Sequence, residues 1–194
     1  ACKTLFGYTK NVFKSAMMHH YIDENPMQYL TAKFFYQYCT EKKKSQSKSL
    51  VLDKDMLLLC EQLQEDYKNQ PEYIPSYAVE LAILTGMRVG EIAALTWDCI
   101  SEDGILINKS EKYNRKTNAY FIDETKNKKE RLFPMCDEIS KLLAKVKKVE
   151  LQNGYICEWV FANEEGRVHA PVISSCIKNK CRQLGIEERG IHAL

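Results

Sequence analysis

Three short β-like runs constrain this chain most: "GILI" (104–107), "AYFI" (119–122) and "RLFP" (131–134). Polar turns separate them, and the apolar residues on either side recur at helical spacing. Such runs predict a small three-stranded antiparallel sheet set between helices. The expected order is helix, linker, helices, small sheet, helices, which is an α+β fold, mainly α.

The helical stretches have readable limits. Residues 3–24 predict a helix with Phe13, Ala16, Met17 and His20 on one face, ended by Asn25–Pro26 because the residue before proline leaves the α region. A Lys- and Ser-rich stretch from Thr40 to Ser49 reads as a linker. Asp53 is the expected N-cap of a helix with Met56, Leu59, Cys60 and Leu63 as its stripe,. Residues 69–75 predict a loop. Ser76 is the expected cap of a helix running to Leu84, with Gly86 as its stop,. Later helices are expected from Asp137 to Lys148, acids first and lysines last,, and from Pro171 to Gly185,.

One helix junction is chemically odd. In "LTGMRVGEIAAL" (84–95) an arginine stands between two glycines in an apolar, helix-forming context. Each glycine costs a helix about 1 kcal/mol relative to alanine. Arg88 also faces the positive end of the helix that follows. Both costs raise the question of what Arg88 is there to meet.

Charge distribution says more than the total, which is only +2. Between Lys109 and Arg131 eight basic residues face four acidic ones. The basic set is Lys109, Lys112, Arg115, Lys116, Lys126, Lys128, Lys129 and Arg131. Lys42, Lys43 and Lys44 form a second run. This is either a polyanion-binding face or a pair of solvated loops. The eight cysteines are scattered without a CxxC pair, so reduced core thiols in a cytoplasm are expected. No apolar run approaches the ~20 residues of a membrane span. The adjacent His19 and His20 point to different sides of a helix and make a poor metal site, and no metal or cofactor is expected.

These segments resemble the tyrosine recombinases, the phage-integrase family. "LTGMRVGEIAALTWDCI" resembles that family's first-arginine box, "TKNKKERLFPM" (125–135) its lysine hairpin, and "GIHAL" (190–194) the start of its His-x-Leu-Arg box. "FKSAMMHHYIDENPM" (13–27) is similar to the last helix of its core-binding domain. The resemblance implies residues 1–30 from a helical, SAM-like core-binding domain, a linker over 31–50 and a catalytic domain over 51–194. It also implies a site-specific recombinase that works through a 3′-phosphotyrosine, on double-stranded DNA, as a homo-tetramer and in a bacterial cytoplasm.

By the same resemblance Arg88 grips the scissile phosphate, with backbone N–H groups of the helix start beside it. Glu91 holds the arginine from behind. Lys126 is the general acid, with Lys128 and Lys129 as nearby competitors. His192 bonds the phosphate or helps in proton transfer. The remaining basic residues, Arg131 included, are DNA contacts. Trp97 and Trp159 are expected in the core, and packing is the default for Tyr113 and Tyr120. The family's second arginine and its tyrosine are expected beyond Leu194, so this chain is read as an inactive piece of a recombinase. A DNA-binding relic of the same fold, a type IB topoisomerase and an unrelated helical interaction protein are the alternatives.

Overall fold

The computed structural model describes residues 2–36, 38, 50–125 and 130–194, except the side chain of His192. The chain divides into two compact units, Ala1–Lys44 and Ser45–Leu194. Among the described residues no helix is long and apolar enough to cross a membrane.

The first unit holds α1 (Cys2–Met18) and α2 (Ala32–Tyr36). Their contact includes Phe6 and Phe35, with ring centroids 6.0 Å apart. The first helix stops well before Asn25. His20 adopts a left-handed φ of 58°, and the Tyr21 N–H reaches back to the Ala16 carbonyl at 2.9 Å. That is a Schellman-type end built on histidine. Without glycine or asparagine there, the sequence carries no stop signal.

In the second unit, α3 (Asp53–Asn69), α4 (Ile74–Thr85) and α5 (Val89–Ala93) come first. Leu52, not Asp53, is the N-cap of α3. Ile74 and Pro75 open α4 two residues before Ser76, because proline is well suited to a first helical turn. Ser76 lies inside the helix, where its hydroxyl donates to Asp66 at 3.0 Å. Apolar on nearly every side, α4 is the central helix. It packs on α3, α5, α6 (Asp137–Asn153) and α7 (Ala170–Gln183).

Leu59, Leu63, Ile139, Leu142, Val146, Ile173 and Ile177 close around α4 as the core. The sixth helix runs five residues past Lys148 to a left-handed Gly154, so Lys147 and Lys148 lie within it rather than at its end. The buried Lys180 of α7 pairs with Asp66 of α3. At the other end of the unit, the Val51 N–H donates to the Ala193 carbonyl at 2.9 Å.

The strands pair two by two instead of as a sheet of three. β1 (Gly104–Ile107) and β2 (Lys109–Asn114) follow each other along one limb. β3 (Ala119–Glu124) pairs with β2, and β4 (Arg131–Pro134) pairs with β1, all antiparallel. Only one residue separates Ile107, opposite Arg131, from Lys109, opposite Glu124. The unexpected strand is β2. Its sequence, "KSEKYN", lacks the apolar alternation of a half-buried strand,. A third hairpin, β5 (Ala162–Asn163) with β6 (Gly166–Arg167), leads into α7.

Candidate functional site

The junction around Arg88 is built by alternation. Gly86 ends α4 with φ 63°. Met87 then turns into the core, and Arg88 turns out. Arg88 is extended, with φ −69° and ψ 145°, and caps α5. Its own N–H donates to Glu91 Oε2 at 3.0 Å. Glu91 thus satisfies the first donor of a helix only five residues long,. The charges at this junction come from side chains, Arg88 and Glu91, and not from the helix end. At Gly90 the close neighbour is a strand. A Cβ there would lie 2.8 Å from Ser110 Oγ and 2.9 Å from the Glu111 carbonyl oxygen. Strand β2 presses on α5 at that point.

Glu91 is the hub of the site. Its side chain is only 1% exposed. Arg88 donates from Nη1 to Oε1 at 3.0 Å. Arg131, arriving on β4, forks both oxygens: Nη1 to Oε1 at 3.0 Å and Nη2 to Oε2 at 2.6 Å. Burial pushes the Glu91 carboxyl up, but the bonds from Arg131 and from the Arg88 backbone and side chain outweigh it. The carboxyl ends below its usual range,. Reciprocally, the hydrogen bond to Glu91 raises the Arg131 pKa.

The two arginine side chains remain 52% and 43% exposed. One buried carboxylate therefore fixes two cations side by side and neutralises one of them. The remainder is a positive, half-exposed pair, and among the described residues Arg88 keeps N–H groups without a partner. Such a fork matches the oxygens of a phosphate.

Other basic residues are placed differently. Lys109 turns to Thr96, donating to Oγ1 at 2.8 Å, with Asp98 at 3.8 Å. Lys112 pairs across the hairpin with Asp123 at 2.7 Å. Arg115 and Lys116 are exposed at the hairpin's turn. Lys42, Lys43, Lys44, Lys126, Lys128 and Lys129 lie outside the described residues, as does the side chain of His192. The His192 backbone sits in a 3-10 turn, Ile191–Ala193, whose flanking Ile191 and Ala193 are buried. Together in space are Arg88, Glu91 and Arg131.

Sequence reasoning missed a second cluster of the same kind. Glu111 of β2, its side chain also 1% exposed, accepts from Arg167 Nε at 3.0 Å and from the Ala170 N–H at 2.8 Å. His169 Nδ1 lies 2.7 Å from the same carboxylate. Arg167 lies over the Trp159 ring at 4.6 Å. Tyr120 stacks on the His169 ring, with centroids 4.3 Å apart. In the sequence Glu111 only subtracts from a basic stretch. The one available signal was a histidine two residues before the proline in the first turn of α7.

Residues 51–194 match the family model described as the phage integrase family. The match spans most of the chain, which therefore belongs to the phage integrase family. Among solved structures it is similar to the Tn1549 transposon integrase in complex with transposon right end DNA. There the TM-score is 0.71 at 17% identity, over 95% of this chain and 60% of that one. It is also similar to a lambda integrase tetramer bound to a Holliday junction. That TM-score is 0.62 at 16% identity, over 98% of this chain and 50% of that one. The chain thus spans about half to three fifths of the length of these structures. No curated protein matches it.

Proposed function

We propose that the protein to which this chain belongs is a site-specific DNA recombinase, an integrase that cleaves and rejoins strands through a 3′-phosphotyrosine. The observation that carries this reading is the pair of half-exposed arginine side chains, Arg88 and Arg131, fixed by the buried Glu91. Family membership and a fold shared with DNA-bound integrases support it. On this reading residues 1–30 close a core-binding domain, 31–50 link, and 51–194 belong to the catalytic domain.

In the step itself a tyrosine oxygen attacks phosphorus and the bond to the 5′-oxygen breaks. Charge gathers on the non-bridging oxygens, where the free N–H groups of Arg88 hold it. Lys126 delivers the proton that the departing 5′-oxygen takes up, and His192 bonds the phosphate. The attacking tyrosine and a second arginine are assigned to no residue of this chain. No metal or nucleotide takes part in these steps. The partner is double-stranded DNA at a specific site, and the whole protein acts as a tetramer in the cytoplasm of a bacterium. Lys109, Lys112, Arg115, Lys116, Lys128, Lys129 and the run Lys42–Lys44 supply surrounding phosphate contacts.

The test is a suicide substrate, a nicked duplex whose cleaved strand diffuses away and traps the covalent adduct. The intact protein should form the adduct at its own site, and Arg88→Ala should abolish it. Full adduct yield from Arg88→Ala refutes the assigned role. Relaxation of supercoils without preference for any site indicates a topoisomerase instead.

A further inference from the structure

The Glu111 cluster has the same logic as the Glu91 hub, with its charges divided in the same way. Arg167 is the neutralising partner. It gives Nε and Nη2 to the carboxylate at 3.0 Å each, is only 13% exposed and is covered by Trp159. The second carboxylate oxygen takes the Ala170 N–H. The α7 N-terminus is therefore already occupied by an anion of this chain and offers nothing to a ligand. Glu111 is satisfied before His169 is considered, so burial alone does not call for that histidine.

His169 is nonetheless held firmly. A carboxylate only accepts, so Nδ1 carries the hydrogen in that bond. The ring lies flat on Tyr120, whose other neighbour is Tyr113 at 4.9 Å. With Nδ1 and one ring face engaged, the Nε2 edge is left, and among the described residues it has no recorded partner. The side chain is 40% exposed. The cluster also adjoins the arginine site: the main chain of Glu111 touches Gly90, two residues after Arg88. Arg115 and Lys116 sit at the exposed turn of the same hairpin. A ring so held leaves Nε2 as its remaining polar atom beside a cationic site, where an N–H suits a phosphodiester oxygen.

We infer that His169 is a second contact to the DNA backbone, gripping a phosphate near the one Arg88 holds, with Glu111 and Arg167 as its positioning residues. This rests on the DNA-binding reading above. Its recognition is of charge and position, not of base sequence.

The test is binding of the 194-residue chain to a fluorescent, random-sequence duplex over a range of NaCl concentrations. Losing one phosphate contact should weaken binding about tenfold and flatten the log–log salt dependence by about 0.9. His169→Ala should do both. His169→Arg, which supplies a permanently charged N–H donor at the same place, should regain most of the affinity and slope, a rescue that a purely structural role does not predict. In the wild-type chain, the His169 Nε2 resonance, assigned by its absence from the Ala variant, should shift as duplex is added.

Wild-type slope in His169→Ala, or no recovery in His169→Arg, overturns the inference. Arg88→Ala separates the two levels. If it flattens the slope while His169→Ala does not, only the histidine contact fails. If neither variant moves the slope, or the wild-type chain ignores duplex at low salt, the DNA reading fails with it.

Discussion

Replacing Arg131 with glutamine tests how charge is divided around Glu91. The carboxylate accepts four hydrogen bonds, two from Arg88 and two from Arg131. Arg131→Gln removes two charge-assisted bonds worth about 1.5–3 kcal/mol each in isolation. Because the Arg131 side chain is 43% exposed, the combined loss is expected at about 2–3 kcal/mol. For a chain this long that lowers Tm by about 4–12 °C.

The second consequence concerns DNA. With Arg131 gone, Arg88 is the cation left facing a buried carboxylate among the described residues. It should rotate into the fork that Arg131 vacated, and the hub's net charge falls from +1 to zero. A unit charge about 4 Å away counts for about 1 kcal/mol in water and about 4 kcal/mol near a protein surface. Duplex binding should therefore weaken about fivefold at least, and up to about several hundredfold. The double variant Glu91→Gln/Arg131→Gln restores the net charge and releases Arg88. Fluorescence anisotropy should show its affinity recovering to within severalfold of wild type, while urea unfolding still shows it destabilised. If the double variant binds no better than Arg131→Gln alone, Arg131 is simply another phosphate contact and the charge argument is wrong.

Three further outcomes follow from the same geometry. Gly90→Ala places a methyl 2.8–2.9 Å from Ser110 Oγ and the Glu111 carbonyl. It should cost about 1–3 kcal/mol in urea unfolding, and DNA affinity should fall with it because α5 carries Arg88. Burial lifts the Glu150 carboxyl from 4.5 to about 7, against the bonds from Ala162 and Trp97. The folded state then holds this proton more tightly than the unfolded chain does. Its stabilisation is full below pH 4.5 and lost as pH rises through about 7, about 3 kcal/mol in all. Glu150→Gln should flatten that fall in a pH series of urea midpoints. Lys180→Ala, which leaves Asp66 without its buried cation, should destabilise by about 3 kcal/mol, and the paired replacement Lys180→Met/Asp66→Leu by much less.

How far these features were legible depends on whether their partners are near in sequence. Arg88 could be read because two glycines and an apolar helix frame it within a few residues. Glu91 could be read because three residues along a helix is contact distance. The alliance of Arg131 with Glu91 joins residues forty positions apart, and it depends on the register that sets Arg131 opposite Ile107. Nothing local encodes that register. The same holds for Glu111, whose partners lie more than fifty residues on.

Strand β2 was invisible for another reason. Its buried residue is a glutamate, so burial there follows charge pairing rather than hydrophobicity. The core stripes of α3, α6 and α7 were readable because apolar periodicity is what buries them. The strand runs were visible one by one, but their pairing was not. Among the described cysteines, Cys99, Cys176 and Cys181 are buried, whereas Cys136 and Cys157 are exposed. Only part of that set serves the core.

The central claim is that Arg88 holds a DNA phosphate. Its most direct test is the salt dependence of duplex binding by the wild-type chain and by Arg88→Ala, with folding checked in parallel. The account predicts weaker binding and a log–log slope shallower by about 0.9, the signature of one lost phosphate contact. An unchanged slope and affinity in a folded Arg88→Ala protein would contradict it.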